Sequence, residues 1–155
     1  MLIIGIDPGF SGAIALLNSN TWALEVHDMP ILPGSNSKTE LNCHMVGTLL
    51  SSDEPRSMAV LEKVWAFQGQ GISSAFRFGD CYGALRMALI GHGHEFHNPT
   101  PNVWKKHFKL GKDKDGSRKL ASERFPANAD LFSRKKDDGR AEAALLALYG
   151  KEKLL

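Results

Sequence analysis

The opening segment LIIGIDPGFSGAIALL constrains this chain most: an apolar run ends on a carboxylate, Asp7, and passes through Pro8-Gly9 into a second apolar run over residues 13–17. Short Ile- and Leu-rich runs separated by turn residues are the pattern of paired strands. The spacing therefore predicts a hairpin whose second arm closes at Asn18-Ser19-Asn20, with Asp7 at a strand end where the backbone turns away. Residues 22–27 predict a third strand, and MPILPGSNSK, with its prolines, glycine and serines, reads as a loop.

Further along, residues 42–50 predict a short amphipathic helix and residues 57–64 (SMAVLEKV) a strand, set off by Pro55. From Gly71 to about Ile90, Ile72, Ala75, Phe76, Tyr82, Leu85, Met87, Ala88 and Leu89 recur at helical spacing, with Gly79 and Gly83 four apart on one close-packing face. Residues 95–97 form a brief strand, 102–108 a helix after Pro101, and 114–125 a helix stopped by Pro126. A terminal helix over 138–149 carries Ala141, Ala144, Leu145 and Leu148 on one stripe and ends at Gly150. Strands, then helices alternating with strands, make a mixed α/β sandwich, and 155 residues suit a single domain over 1–155.

No apolar run approaches the ~18 residues that span a bilayer, and MLIIGIDPGF carries neither a basic leader nor a cleavage site, so a soluble intracellular chain is expected. Cys43 and Cys81 stand far apart and form no CxxC; free, buried thiols are expected. Net charge is only +2, but its distribution is uneven. Residues 101–125 hold Lys105, Lys106, Lys109, Lys112, Lys114, Arg118, Lys119 and Arg124 against Asp113, Asp115 and Glu123, while the remainder is slightly acidic. Such a segment suits either a phosphate-contacting surface or a solvated helical face.

The acidic residues are more specific. Glu62, like Asp7, lies near the end of an apolar strand, beside Met58, Val60 and Val64, where a lone carboxylate is costly to bury. In KKDDGRAEAALLALYG, Asp138 and Glu142 are four apart and project from one helix face. Asp137 and Asp138 also suit an N-terminal cap; Glu142, inside the helix, does not. Together Asp7, Glu62, Asp138 and Glu142 form a hard-oxygen set of the kind Mg²⁺ or Mn²⁺ prefers. Two such ions about 3.5–4 Å apart suffice to hydrolyse a phosphodiester without a protein nucleophile.

The same segments carry a family resemblance. IIGIDPGFSGAIALL resembles the first strand and turn of RuvC-type Holliday junction resolvases, LEKVWAF their second acidic motif, and DDGRAEAALLA their closing helix, especially in phage and organellar members. The helix from Gly71 resembles the family's dimer-forming helix, and KDKDGSRKLASERFP its basic helix. IDPG alone is shared with actin-like ATPases; the ordered set of four motifs is specific. The resemblance implies an RNase H-like mixed five-stranded sheet flanked by helices. It also implies a homodimeric crossover junction endodeoxyribonuclease acting on four-way or branched DNA, with no membrane or small-molecule substrate, in the cytoplasm of a bacterial or phage-infected cell.

Carried over residue by residue, the resemblance makes Asp7, Glu62, Asp138 and Glu142 metal ligands for two Mg²⁺ ions, with Mn²⁺ able to substitute, and Lys114 the lysine near the scissile phosphate. Bacterial members space the last two ligands by three residues where this chain has four, so Asp137 and Asp138 both stand as the third acid. Trp65 and Phe67 are placed at the junction centre, with core packing as their other option. Lys63, Arg77, Lys105, Lys106, Lys112, Arg118 and Lys119 are the expected DNA contacts. Trp104 is expected in the core, and His92, His94 and His97 as ordinary structural histidines. Other functions compatible with the motifs are a nuclease for RNA–DNA hybrids or RNA, a catalytically silent branched-DNA binder, and an actin-like nucleotide module, for which the chain lacks a second lobe.

Overall fold

A computed structural model describes residues 1–34, 38–52, 57–111, 113 and 115–155. The expected mixed five-stranded sheet is present. Its centre is β1 (Leu2–Asp7), flanked by antiparallel β2 (Ala13–Asn18) and then β3 (Leu24–Asp28). On the other side lie parallel β6 (Ser57–Leu61) and β7 (Glu95–His97). A separate hairpin, β4 (Ile31–Pro33) with β5 (Thr39–Leu41), precedes α1 (Cys43–Leu50). The remaining helices are α2 (Ile72–Gly91), α3 (Pro101–His107), α4 (Gly116–Arg124) and α5 (Asp138–Lys153), with 3-10 turns at Pro126–Phe132 and Lys135–Asp137.

Strand alternation sends side chains to two different cores. Ile3 in β1, Ala13, Ala15 and Leu17 in β2, and Met58 and Val60 in β6 pack with α5 and with Trp104, Ala121, Phe125 and Phe132. Ile4, Ile6, Ile14, Ala59 and Leu61 pack instead with α1 and with Cys81, Leu85 and Leu89 of α2. The α5 face is the tighter. A Cβ on Gly5 would lie 2.1 Å from the Ala143 carbonyl oxygen and 2.4 Å from the Ala147 amide, so the helix backbone rests directly on β1. Near the other end of α5, a Cβ on Gly150 would fall 2.9 Å from the Val60 side chain and 3.0 Å from that of Ile3, so the helix packs closely over both strands there.

Several elements differ from the sequence expectation. Helix α5 continues through Gly150 to Lys153, because that glycine serves close packing rather than a helix stop. β3 starts at Leu24: Asn18 accepts from the amides of Asn20 and Thr21 at 3.0 and 3.1 Å, and Trp22 sits at φ 63°, a left-handed turn position. The segment expected as loop, residues 29–38, contains β4, which pairs with β5 just beyond it and leaves no local periodicity. The strand expected over 57–64 ends at Leu61, although the Glu62 amide still donates to the Ile6 carbonyl at 3.1 Å. Cys81 is buried, but Cys43 is exposed at the first position of α1, contrary to the expectation of two buried thiols. No helix among the described residues is long and apolar enough to cross a membrane.

Candidate metal centre

The alternation that fills the α5 core also aims the acids. Asp7 has the parity of Ile3, and Glu62 that of Met58 and Val60, so both carboxylates leave the sheet toward α5. The hydrogen bond from the Glu62 amide to the Ile6 carbonyl makes Glu62 and Asp7 lateral neighbours at the end of the parallel pair. Glu142, one turn into α5, meets them from above. Oxygens of Asp7, Glu62 and Glu142 lie within 4.8 Å of one another. The approach requires Gly139, where a Cβ would fall 2.5 Å from the Ser11 carbonyl oxygen and 3.1 Å from Asp7 Oδ2.

Such proximity is electrostatically unfavourable for the bare acids. Burial, reinforced by the charges of Glu142 and Glu62, holds the Asp7 carboxyl well above the usual carboxylate range; Lys105 opposes the rise. Burial also pushes Glu62 up, partly offset by the Trp104 hydrogen bond. The glutamates are held in place on one oxygen each. Trp104 Nε1 donates to Glu62 Oε1 at 2.8 Å, while Lys105 Nζ at 2.7 Å and Ser117 Oγ at 3.2 Å donate to Glu142 Oε1. Three carboxylates with no cysteine or histidine among them are a donor set for a hard divalent cation, and one that would relieve their mutual repulsion.

Asp138 stands outside this group. Its side chain is 54% exposed and pairs with Arg118 Nε at 3.0 Å, though its charge is still felt at Asp7. Asp137, its neighbour, is 2% exposed and turns the other way. It accepts from Arg134 Nη2 at 2.8 Å and from the Arg134 amide at 2.9 Å, with Arg140 Nη1 3.9 Å away. Those partners hold its carboxyl below the usual range and fix the start of α5. Of the two aspartates, only Asp138 contributes charge that is felt at Asp7.

This architecture has solved counterparts. No family model matches the chain, and no curated protein does. Among solved structures, Thermus thermophilus RuvC superposes with TM-score 0.59 at 16% identity, covering 97% of this chain and 95% of that one. T. thermophilus RuvC in complex with a Holliday junction substrate gives TM-score 0.64 at 17% identity, covering 99% and 96%. The fold is that of RuvC.

Within the RuvC fold, the basic residues of this chain divide sharply. Lys106 and Lys109 are exposed beside Lys105 on the α3 side of the site, and Lys63 is exposed directly after Glu62. Lys119 pairs with Asp113 at 3.1 Å on the surface. Arg118 is turned inward instead, its side chain 14% exposed between Asp115 and Asp138. Arg77 donates to the Thr39 carbonyl and covers the Phe10 ring at 4.7 Å, so its guanidinium is spent on the β5–α2 contact. Lys112 and Lys114 lie outside the described residues.

Trp65 and Phe67 are 58% and 65% exposed, which removes the core-packing option for both. Trp104 is fully buried as expected of a core residue, yet its indole N–H also fixes Glu62, a role that sequence spacing did not reveal. Ser117 and Gly139 were likewise missed; an Asp-Asp-Gly at a helix start was the one available signal for the latter. His94 is a structural residue: its Nε2–H donates to the Leu50 carbonyl at 2.7 Å, leaving Nδ1 to accept from Ser57 at 2.6 Å.

Proposed function

We propose that this chain is a divalent-metal-dependent endonuclease that cuts four-way and other branched DNA by phosphodiester hydrolysis. The observation that carries the proposal is the convergence of Asp7, Glu62 and Glu142 within 4.8 Å at the strand ends of a RuvC fold. One of the superposed RuvC structures is a complex with a Holliday junction substrate, which favours branched DNA over other nucleic acids.

In this scheme Asp7, Glu62 and Glu142 hold the cations, with Asp138 as a fourth carboxylate. Two Mg²⁺ or Mn²⁺ ions would activate the attacking water and stabilise the leaving oxygen. Trp104 and Ser117 fix the glutamate rotamers, so that the carboxylates need not reorganise when substrate arrives. Lys105 limits the negative charge of the site before DNA binds. Lys114 is assigned to the scissile phosphate, Lys63, Lys106, Lys112 and Lys119 to the flanking backbone, and the exposed rings of Trp65 and Phe67 to unpaired bases at the crossover.

Symmetric cutting needs two sites. Helix α2 leaves Ile72, Phe76, Met87 and Ile90 at 90%, 76%, 64% and 54% exposure on the stripe that contains Gly79 and Gly83. A second copy packed on this stripe would form a twofold dimer with one site for each of two strands. The proposed setting is the cytoplasm of a bacterial or phage-infected cell.

The test is cleavage of an end-labelled four-way junction, with linear duplex, RNA–DNA hybrid and single-stranded RNA as competitors. Junction cuts that require Mg²⁺, vanish in EDTA and are lost in Asp7→Asn are expected. Preferential cutting of the hybrid would reassign the substrate. Junction binding without cutting at any Mg²⁺ or Mn²⁺ concentration would leave only a DNA-binding protein.

A further inference from the structure

The first turn of α4 presents two consecutive side chains to α5, and each takes one of its acids. Ser117 donates to Glu142, already a member of the three-carboxylate cluster, whereas Arg118 pairs with Asp138, which is not. Asp138 is nevertheless close enough for its charge to be felt at Asp7. The position a Cβ would take at the next residue, Gly139, is 3.1 Å from Asp7 Oδ2. Asp138 is also four residues before Glu142 on the same helix face.

We propose that Arg118 is a positioning residue that withholds Asp138 from the metal centre, so that the fourth carboxylate joins the ions only by exchanging Arg118 for metal. The proposal rests on the metal-centre assignment above. Three features make the contact exchangeable. Arg118 Nε, although buried, makes no hydrogen bond among the described residues, so its 3.0 Å approach to Asp138 is a charge contact without hydrogen-bond alignment. Arg118 retains Asp115 and the Ser133 carbonyl, the latter at 3.3 Å, as partners when Asp138 leaves. Finally, Asp138 is 54% exposed, so its carboxylate turns without displacing packed atoms.

The exchange predicts a specific pattern of ion affinity. A metal ion and Arg118 compete for one carboxylate, so deleting the guanidinium should tighten ion binding, but only while Asp138 is present. General removal of a positive charge near the site would tighten binding with or without Asp138. A double-mutant cycle separates the two.

Mn²⁺ binding to the DNA-free protein, followed by the electron paramagnetic resonance signal of free Mn²⁺, reads this directly. Arg118→Gln should bind Mn²⁺ roughly two- to fivefold more tightly than wild type, the range of a partly exposed ion pair. The gain should disappear when Asp138→Asn is added. Asp138→Asn alone should change affinity by no more than about twofold, because the withheld carboxylate contributes little. An unchanged or weakened Arg118→Gln, or a gain that persists in the double variant, overturns the proposal. Should Arg118→Gln fail to fold by thermal melt, Asp138→Asn alone decides: a loss clearly greater than about twofold would mean that Asp138 is already a ligand and overturns the proposal. Asp7→Asn is the control for the site itself; if it binds Mn²⁺ as wild type does, the metal-centre assignment fails, independently of Arg118.

Discussion

The two faces of the sheet are built to different tolerances. On the α5 face the helix lies backbone against backbone on β1 at Gly5, meets the Ser11–Gly12 backbone at Gly139, and sits close over the Val60 and Ile3 side chains at Gly150. On the α2 face the contact is made by the side chains of Cys81, Leu85 and Leu89, and α2 shows its other side, with open space above Gly79 and Gly83, to solvent. The acids belong to the tight face. A helix held by its backbone fixes Glu142 relative to Asp7 and Glu62 more closely than one cushioned by flexible side chains, and shared ion ligation needs that fixity. The loose face, free of that demand, can offer α2 to a partner.

Gly5 is the most sensitive point of the tight face. Gly5→Ala should destabilise the fold by about 3 kcal/mol or more, since the new methyl meets helix backbone rather than a movable side chain. Denaturant unfolding followed by circular dichroism measures it, and a loss below 1 kcal/mol would show that the helix can lift off β1 freely.

Asp7→Asn acts on the same face in the opposite direction. The Asp7 carboxyl is raised in the folded protein, so its ionisation favours unfolding. The penalty is absent below the ordinary Asp value of about 4, grows as pH rises from there, and is complete once pH exceeds the raised folded value. Without divalent ions, Asp7→Asn should therefore melt above wild type at pH 7 and level with it at about pH 3.5. Adding Mg²⁺ should raise the wild-type melting temperature and leave the variant unmoved.

Trp104→Phe keeps most of the buried ring but removes the indole donor to Glu62. A stability loss of about 1–3 kcal/mol is expected, together with a roughly 10- to 100-fold weaker ion affinity as the Glu62 rotamer loosens. Calorimetric unfolding and Mn²⁺ titration report the two effects separately. Loss of stability alone would make the indole a packing residue only.

The smallest effect falls on the loose face. Gly79→Ala adds a methyl in open space within a helix and should stabilise a lone copy by about 0.5–1 kcal/mol. If two copies meet along α2, the same methyl should weaken their association in analytical ultracentrifugation. Equal self-association of wild type and variant would move the partner surface elsewhere.

What the sequence made legible follows the same division. Strand alternation places Asp7 with Ile3 and Glu62 with Met58 and Val60, so their common face could be read from period-two patterning alone. Helical spacing put Glu142 beside Asp138, but not the contact that separates their roles, because Arg118 comes from another helix and its charge resembles that of any basic surface. The same limit hid the dual role of Trp104, whose apolar neighbours mark a core position while its N–H partner lies 42 residues away. Gly150 carried the signal of a helix end, and only the strand beneath it shows that it is a contact point. The β4–β5 hairpin was illegible because strands of three residues have no period to detect.

If Asp7, Glu62 and Glu142 share divalent ions, an anomalous-difference map from crystals soaked in Mn²⁺ will reveal them. The expected result is peaks bonded to oxygens of all three residues. A map with no peak there, or with manganese bound only at other carboxylates while the three acids keep their spacing, would contradict it.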